Sequence, residues 1–208
     1  MFRSIQGLGA ACLLWAMAAA LLPAAEVYTY WIQPCTQDVA ARSGCEAADP
    51  ELALWALEAW QKAAGPGLRF VPAGSQNEAR VRIYWLGERP QLYGEARPIY
   101  INGQRGASIE VQPDPAQLGP QIADAARNDK LFRDTIVYLT CLHETGHGIG
   151  LEHTASFADI MYSFQYGGDV LAYFNRYRRM LKERPDIRTH AGISEADRAR
   201  AASLYASP

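Results

Sequence analysis

The sequence predicts an α+β domain. Five short extended segments rich in β-branched and aromatic residues alternate with two long stretches of helical periodicity. The 208-residue chain also has the composition of one globular unit, 49% apolar and 20% charged. This composition excludes a disordered, collagen-like or coiled-coil chain. With 20 Lys and Arg against 22 Asp and Glu the formal charge is -2, so no basic excess is present to neutralise phosphates and nucleic acid is not an expected partner.

At the N-terminus, Arg3 precedes an apolar run from Gly7 to Leu22 and then Pro23-Ala24-Ala25, the order of parts in a signal peptide. Residues 1–25 are read in this way, leaving 26–208 as a single exported domain, secreted or periplasmic. An uncleaved membrane anchor is the alternative, because the run nearly reaches spanning length. A lipoprotein site at Cys12 is disfavoured, since Gly9-Ala10-Ala11 lacks the expected aliphatic residue.

Val27 to Ile32 reads as a strand that stops at Pro34 and leaves no room for a propeptide. Cys35 and Cys45 are close enough to staple a short loop in an oxidising compartment; two unpaired thiols are the alternative. Asp49-Pro50 offers an N-cap and first-turn proline for an amphipathic helix carrying Leu52, Trp55, Leu57 and Trp60, which ends at Gly65-Pro66-Gly67. Leu68 to Val71 and Arg80 to Leu86 read as strands. The second alternates Val81, Ile83 and Trp85 against Arg80, Arg82 and Tyr84, so one face is buried. Leu92 to Ile101 and Ala107 to Val111 are further extended pieces, separated by the turn residues Asn102-Gly103 and Gly106. Gln121 to Gly150 carries helical spacing, with Cys141 as a small core residue.

That helix closes on His143-Glu144-Thr145-Gly146-His147-Gly148-Ile149-Gly150-Leu151-Glu152-His153. Residues four apart share a helix face, so His143 and His147 can aim at one point, and Gly150 can turn the chain to bring back His153. Three neutral imidazoles with an open fourth position suit one catalytic Zn²⁺ and its water. Glu144 follows the first ligand without needing to bind the metal, the place of a general base for that water.

This segment resembles the metzincin pattern H-E-x-x-H-x-x-G-x-x-H, and in detail it is similar to a matrixin. Met161, in Asp159-Ile160-Met161-Tyr162, stands eight residues after His153 and resembles the Met-turn beneath the metal. The resemblance implies a zincin-like fold: a twisted, mixed five-stranded sheet with an antiparallel edge strand, packed on two long helices. It also implies a small C-terminal subdomain with the Met-turn and a last helix, the latter matching Ser194 as N-cap with Asp197 in a capping box. Astacins and serralysins place a metal-binding tyrosine two residues past the methionine. Here Ser163 stands there, so no tyrosine ligand is assigned.

Other departures are equally legible. Vertebrate matrixins hold a structural zinc through three histidines and an aspartate, whereas the one remaining histidine here is His190, read as a loop residue. Calcium is compatible with loops such as Gly167-Gly168-Asp169, but no ordered run of oxygen ligands is readable. Residues 163–192 form an insertion in which Val170, Leu171, Phe174, Tyr177 and Leu181 repeat near helical spacing among Arg176, Arg178, Arg179, Lys182 and Arg184. This is read as a packed helix with a solvated basic face; a pocket wall or an exosite for acidic partners is the sharper alternative.

The expected function is a monomeric zinc endopeptidase acting on extracytoplasmic proteins or peptides, with substrate extended along an edge strand within Leu92 to Ile101. Membrane contact is expected only if the N-terminal segment is retained. A zinc-holding module that binds a peptide or inhibitor without turnover is the alternative from another class.

Overall fold

Residues 25–206 are described by the computed structural model, so the N-terminal segment read as signal peptide or anchor lies outside the described residues. Among them, no helix is long and apolar enough to cross a membrane. Five strands form one mixed sheet: β1 (Glu26–Ile32), β2 (Leu68–Pro72), β3 (Val81–Trp85), β4 (Gly94–Ile101) and β5 (Gln104–Val111), in the order β2-β1-β3-β5-β4. The first three neighbouring pairs are parallel, and β4 runs antiparallel to β5 at the edge.

The period-two pattern of β3 buries Val81, Ile83 and Trp85. Arg80, just before the strand, is also buried rather than solvent-facing. Its guanidinium donates to Val27 O at 2.7 Å and Arg105 O at 2.6 Å, pairs with Glu26, and lies over the Tyr28 ring. A buried arginine is tolerable here because its donors are met by strand-end carbonyls and a carboxylate. The β4–β5 turn is shorter than expected: Asn102 and Gly103, both at positive φ, make a two-residue hairpin turn. Gly106 therefore lies inside β5 opposite Ile99 rather than in the turn.

Two long helices pack together on this sheet. In α2 (Asp49–Ala64), Leu52, Leu57 and Trp60 are fully buried, each contributing about 1.5–3 kcal/mol of apolar burial. Trp60 Nε1 donates to the carbonyl of Leu142 at 2.7 Å, fixing α2 to the helix that bears the histidines. Asp49 is not the N-cap: Ala48 holds that position, and the Asp49 carboxylate takes the Glu46 N–H and the buried Arg133 guanidinium. The stretch read as one helix from residue 121 is two, α3 (Pro120–Asn128) and α4 (Lys130–Gly148). Asp129 separates them in an extended conformation and caps α4 by accepting Phe132 N–H at 3.0 Å.

The Cys35–Cys45 disulfide is present and closes a loop holding a helix the sequence reading missed, α1 (Gln37–Ser43), capped by Thr36. Cys141 is free and buried. The insertion folds as α5 (Val170–Arg178) and the single turn α6 (Asp186–Thr189), with His190 at its end, so the helix stops before Leu181. Its basic residues are largely paired rather than free. Arg178 meets Asp129 at 2.7 Å, and Arg184 reaches Asp134 and Glu51 and covers Trp55. Asp169, in the loop considered for calcium, caps α5 through Ala172 N–H. In α7 (Glu195–Leu204), Ser194 accepts Asp197 N–H as expected. The Asp197 carboxylate does not complete the capping box; it turns inward to Ile160 N–H at 2.6 Å and to Arg200.

Candidate metal centre

The last turns of α4 place His143 and His147 side by side. Gly150, at φ +103°, ends the helix in a conformation that L side chains rarely adopt, and Leu151 N–H closes back on Gly146 O at 2.9 Å. The chain then reverses. Thr154 N–H bonds Met161 O at 2.8 Å and Ser163 N–H bonds Thr154 O, so the segment after His153 is tied to the segment around Met161.

This folding brings the three predicted rings together. Their Nε2 atoms form a triangle with sides of 3.2, 3.2 and 3.0 Å. Ligands 2.0–2.1 Å from a tetrahedral zinc lie about 3.3 Å from one another, so this donor set fits such an ion. The far nitrogens support the fit: His143 Nδ1 lies 2.7 Å from Ile160 O and His147 Nδ1 lies 2.8 Å from Leu151 O. With Nδ1–H donating to those carbonyls, each Nε2 lone pair points at the shared centre. Burial pushes the His143 imidazolium down to about 4 and lowers His147 as well, so both rings are neutral at physiological pH, the state that binds metal. Among the described residues, this is the one group of three or more His, Cys, Asp or Glu side chains close enough to share an ion.

Glu144 is buried and lines the same cavity as His143 and His153. Burial, reinforced by the Glu95 carboxylate, raises its carboxyl to about 8 against the opposing hydrogen bond from Ala96 N–H. A divalent cation beside it acts in the opposite direction. Met161 is fully buried, with its thioether packed on Gly146 between the two helical histidines.

The cavity is walled mainly by apolar and aromatic groups: Tyr93, Leu139, Tyr162, Phe164, Tyr173 and Phe174 complete it. Three of these, Phe164, Tyr173 and Phe174, come from the insertion, which thereby forms a pocket wall. Tyr93 and Phe174 stack at 5.7 Å between centroids. The sequence had flagged Phe174 by its helical spacing, but Tyr93 and Tyr173 carry no local signal of a site. Tyr162 commits its hydroxyl to Gly167, donating to its carbonyl at 2.6 Å. His190 lies outside the group, its Nδ1 beside Asp186 O and Thr189 Oγ1. A second cleft runs on the other side of the histidines, between His147, Gly150 and His153 and the Ala96–Pro98 stretch of β4.

No protein-family model matches the chain. Over 119 residues it is 34% identical to a protein of Trichoplusia ni ascovirus 2c named "Putative matrix metalloproteinase". The match covers 50% of this chain and 23% of that protein, so the chain spans less than a quarter of that relative's length. That relative is named as a metalloproteinase, and the histidine triad of this chain is a group of side chains that could hold a metal ion.

Proposed function

We propose that the chain is a zinc endopeptidase with a matrixin-like, zincin-type catalytic domain, acting on extracytoplasmic proteins or peptides as a monomer. The observation that carries this reading is the convergence of three Nε2 atoms within 3.2 Å of one another, with the buried Glu144 lining the same cavity as His143 and His153. The export signal read in residues 1–25 supports the location.

Substrate would lie extended along β4, whose outer edge has no strand partner among the described residues, using main-chain hydrogen bonds as in sheet augmentation. A side chain next to the scissile bond would enter the aromatic cavity. When bound by the three imidazoles, zinc supplies Lewis acidity, acidifying water and polarising the carbonyl under attack. His143 and His147 hold their rings in register through Ile160 O and Leu151 O. Glu144 accepts a proton from the attacking water on its carboxylate and delivers it to the leaving nitrogen as the C–N bond breaks.

The binding-only alternative has less support, because zinc held only to order a fold needs no carboxylate beside its ligands. Metal analysis of the purified protein, followed by mass-spectrometric profiling on a diverse peptide mixture, separates the two. One zinc per chain with cleavage at consistent sites is expected; a zinc-loaded protein that cleaves nothing would favour the binding module.

A further inference from the structure

We propose that Tyr173 and Arg176, on the inserted helix α5, are positioning residues for the metal ligand His143. The inference rests on the zinc reading above. His143 Nδ1–H donates to Ile160 O at 2.7 Å, so the position of that one carbonyl sets the ring's orientation. Ile160 precedes Met161, and both are fully buried.

Tyr173 is 4% exposed, and its hydroxyl stands 3.0 Å from Asp159 O and 3.2 Å from Ile160 O. Three residues along the same face of α5, Arg176 lays its guanidinium over the Tyr173 ring at 4.1 Å. From there it donates to Asp159 O at 3.2 Å and to Phe157 O. The carbonyls of Phe157, Asp159 and Ile160 are thus held from one helix face, while Asp197 holds the Ile160 N–H from the opposite side at 2.6 Å. Ile160 is pinned at both ends of its backbone. Its carbonyl position is decided partly by a helix from the insertion, which contributes no metal ligand of its own. Partners one bond removed from a metal ligand commonly change metal affinity by about 10–100-fold when lost.

The test compares zinc affinity, by competition with a chromophoric chelator, and the visible spectrum of the cobalt-substituted protein across four forms. Tyr173→Phe keeps the ring and removes the hydroxyl; about tenfold weaker zinc binding and a shifted cobalt spectrum are expected. Arg176→Ala should shift both in the same direction. Tyr177→Phe is the control: its hydroxyl, on the same helix, bonds Ile187 O and His190 O away from the ligands. It should lower thermal stability while leaving affinity and spectrum as in the wild type. Unchanged affinity and spectrum in Tyr173→Phe, even with lowered stability, would overturn the positioning role. A wild-type protein that takes up no zinc would overturn the metal reading and this inference with it.

Discussion

Gly146 lies directly against the sulfur of Met161, so close that a Cβ at position 146 would collide with Sδ and crowd Cε and Trp60 at 3.1 Å. The glycine between the two helical histidines is therefore the seat of the methionine beneath them. Gly146→Ala is expected to destabilise the protein by about 1–3 kcal/mol through overpacking and to weaken zinc binding. Denaturant unfolding with and without zinc measures both, and a variant with wild-type stability and affinity would show that Met161 has room to move.

Glu144→Gln retains the side-chain volume and all three imidazoles but cannot take a proton. One zinc per chain should persist while peptide cleavage falls about 10²–10⁴-fold. Metal content and turnover of a profiled peptide check this, and near wild-type turnover would remove Glu144 from the chemistry.

Asp159 anchors the segment before Met161. Burial alone would raise its carboxyl, but the Arg200 guanidinium at 2.8 Å and the Ser194 hydroxyl at 2.7 Å outweigh it and hold the group below the ordinary carboxylate range. A carboxylate depressed in the folded state stabilises above its unfolded pKa, about 3.9, and that contribution is lost as pH falls through the folded value. Asp159→Asn should cost about 2 kcal/mol at pH 7, and the gap to wild type should close below about pH 4. A gap independent of pH would refute the ionic origin.

The Cys35–Cys45 bridge spans a sequence separation of 10 and encloses α1, outside the cavity lining. Replacing both cysteines with serine should lower the unfolding free energy by about 2–3 kcal/mol, the chain-entropy contribution of so short a loop, with zinc affinity unchanged. Equilibrium denaturation and chelator competition decide it.

The aromatic cavity beside the histidines holds about 140 Å³, close to the size that takes one benzene molecule. A single leucyl, methionyl or phenyl side chain is the expected occupant. Phe174→Leu, which loosens the stack on Tyr93, should raise cleavage before biphenyl-sized side chains about tenfold relative to leucine. An unchanged preference profile would place the size limit elsewhere in the wall.

The sequence by itself determined the α+β class, all five strands to within a few residues, the disulfide and the three histidines that the fold brings together. Each of these is written locally: period-two burial in Val81, Ile83 and Trp85, two cysteines in one short loop, and histidines four apart on a helix followed by Gly150. Local pattern did not reveal the break at Asp129, because Asp129 caps the following helix without interrupting the apolar periodicity around it. Nor did it reveal where charged groups go. Arg80 turns inward because three strand ends converge on it, and the Asp197 carboxylate, which also accepts the Ser194 hydroxyl, reaches the backbone of Ile160, 37 positions away in sequence.

Only the tertiary structure decided that the insertion shapes the cavity and that Tyr173 reaches the carbonyl holding His143. Periodicity reports which face of a helix is apolar, not which neighbour that face will meet. That choice is made when distant segments pack, and a hydrogen bond between them leaves no trace in the spacing of either one.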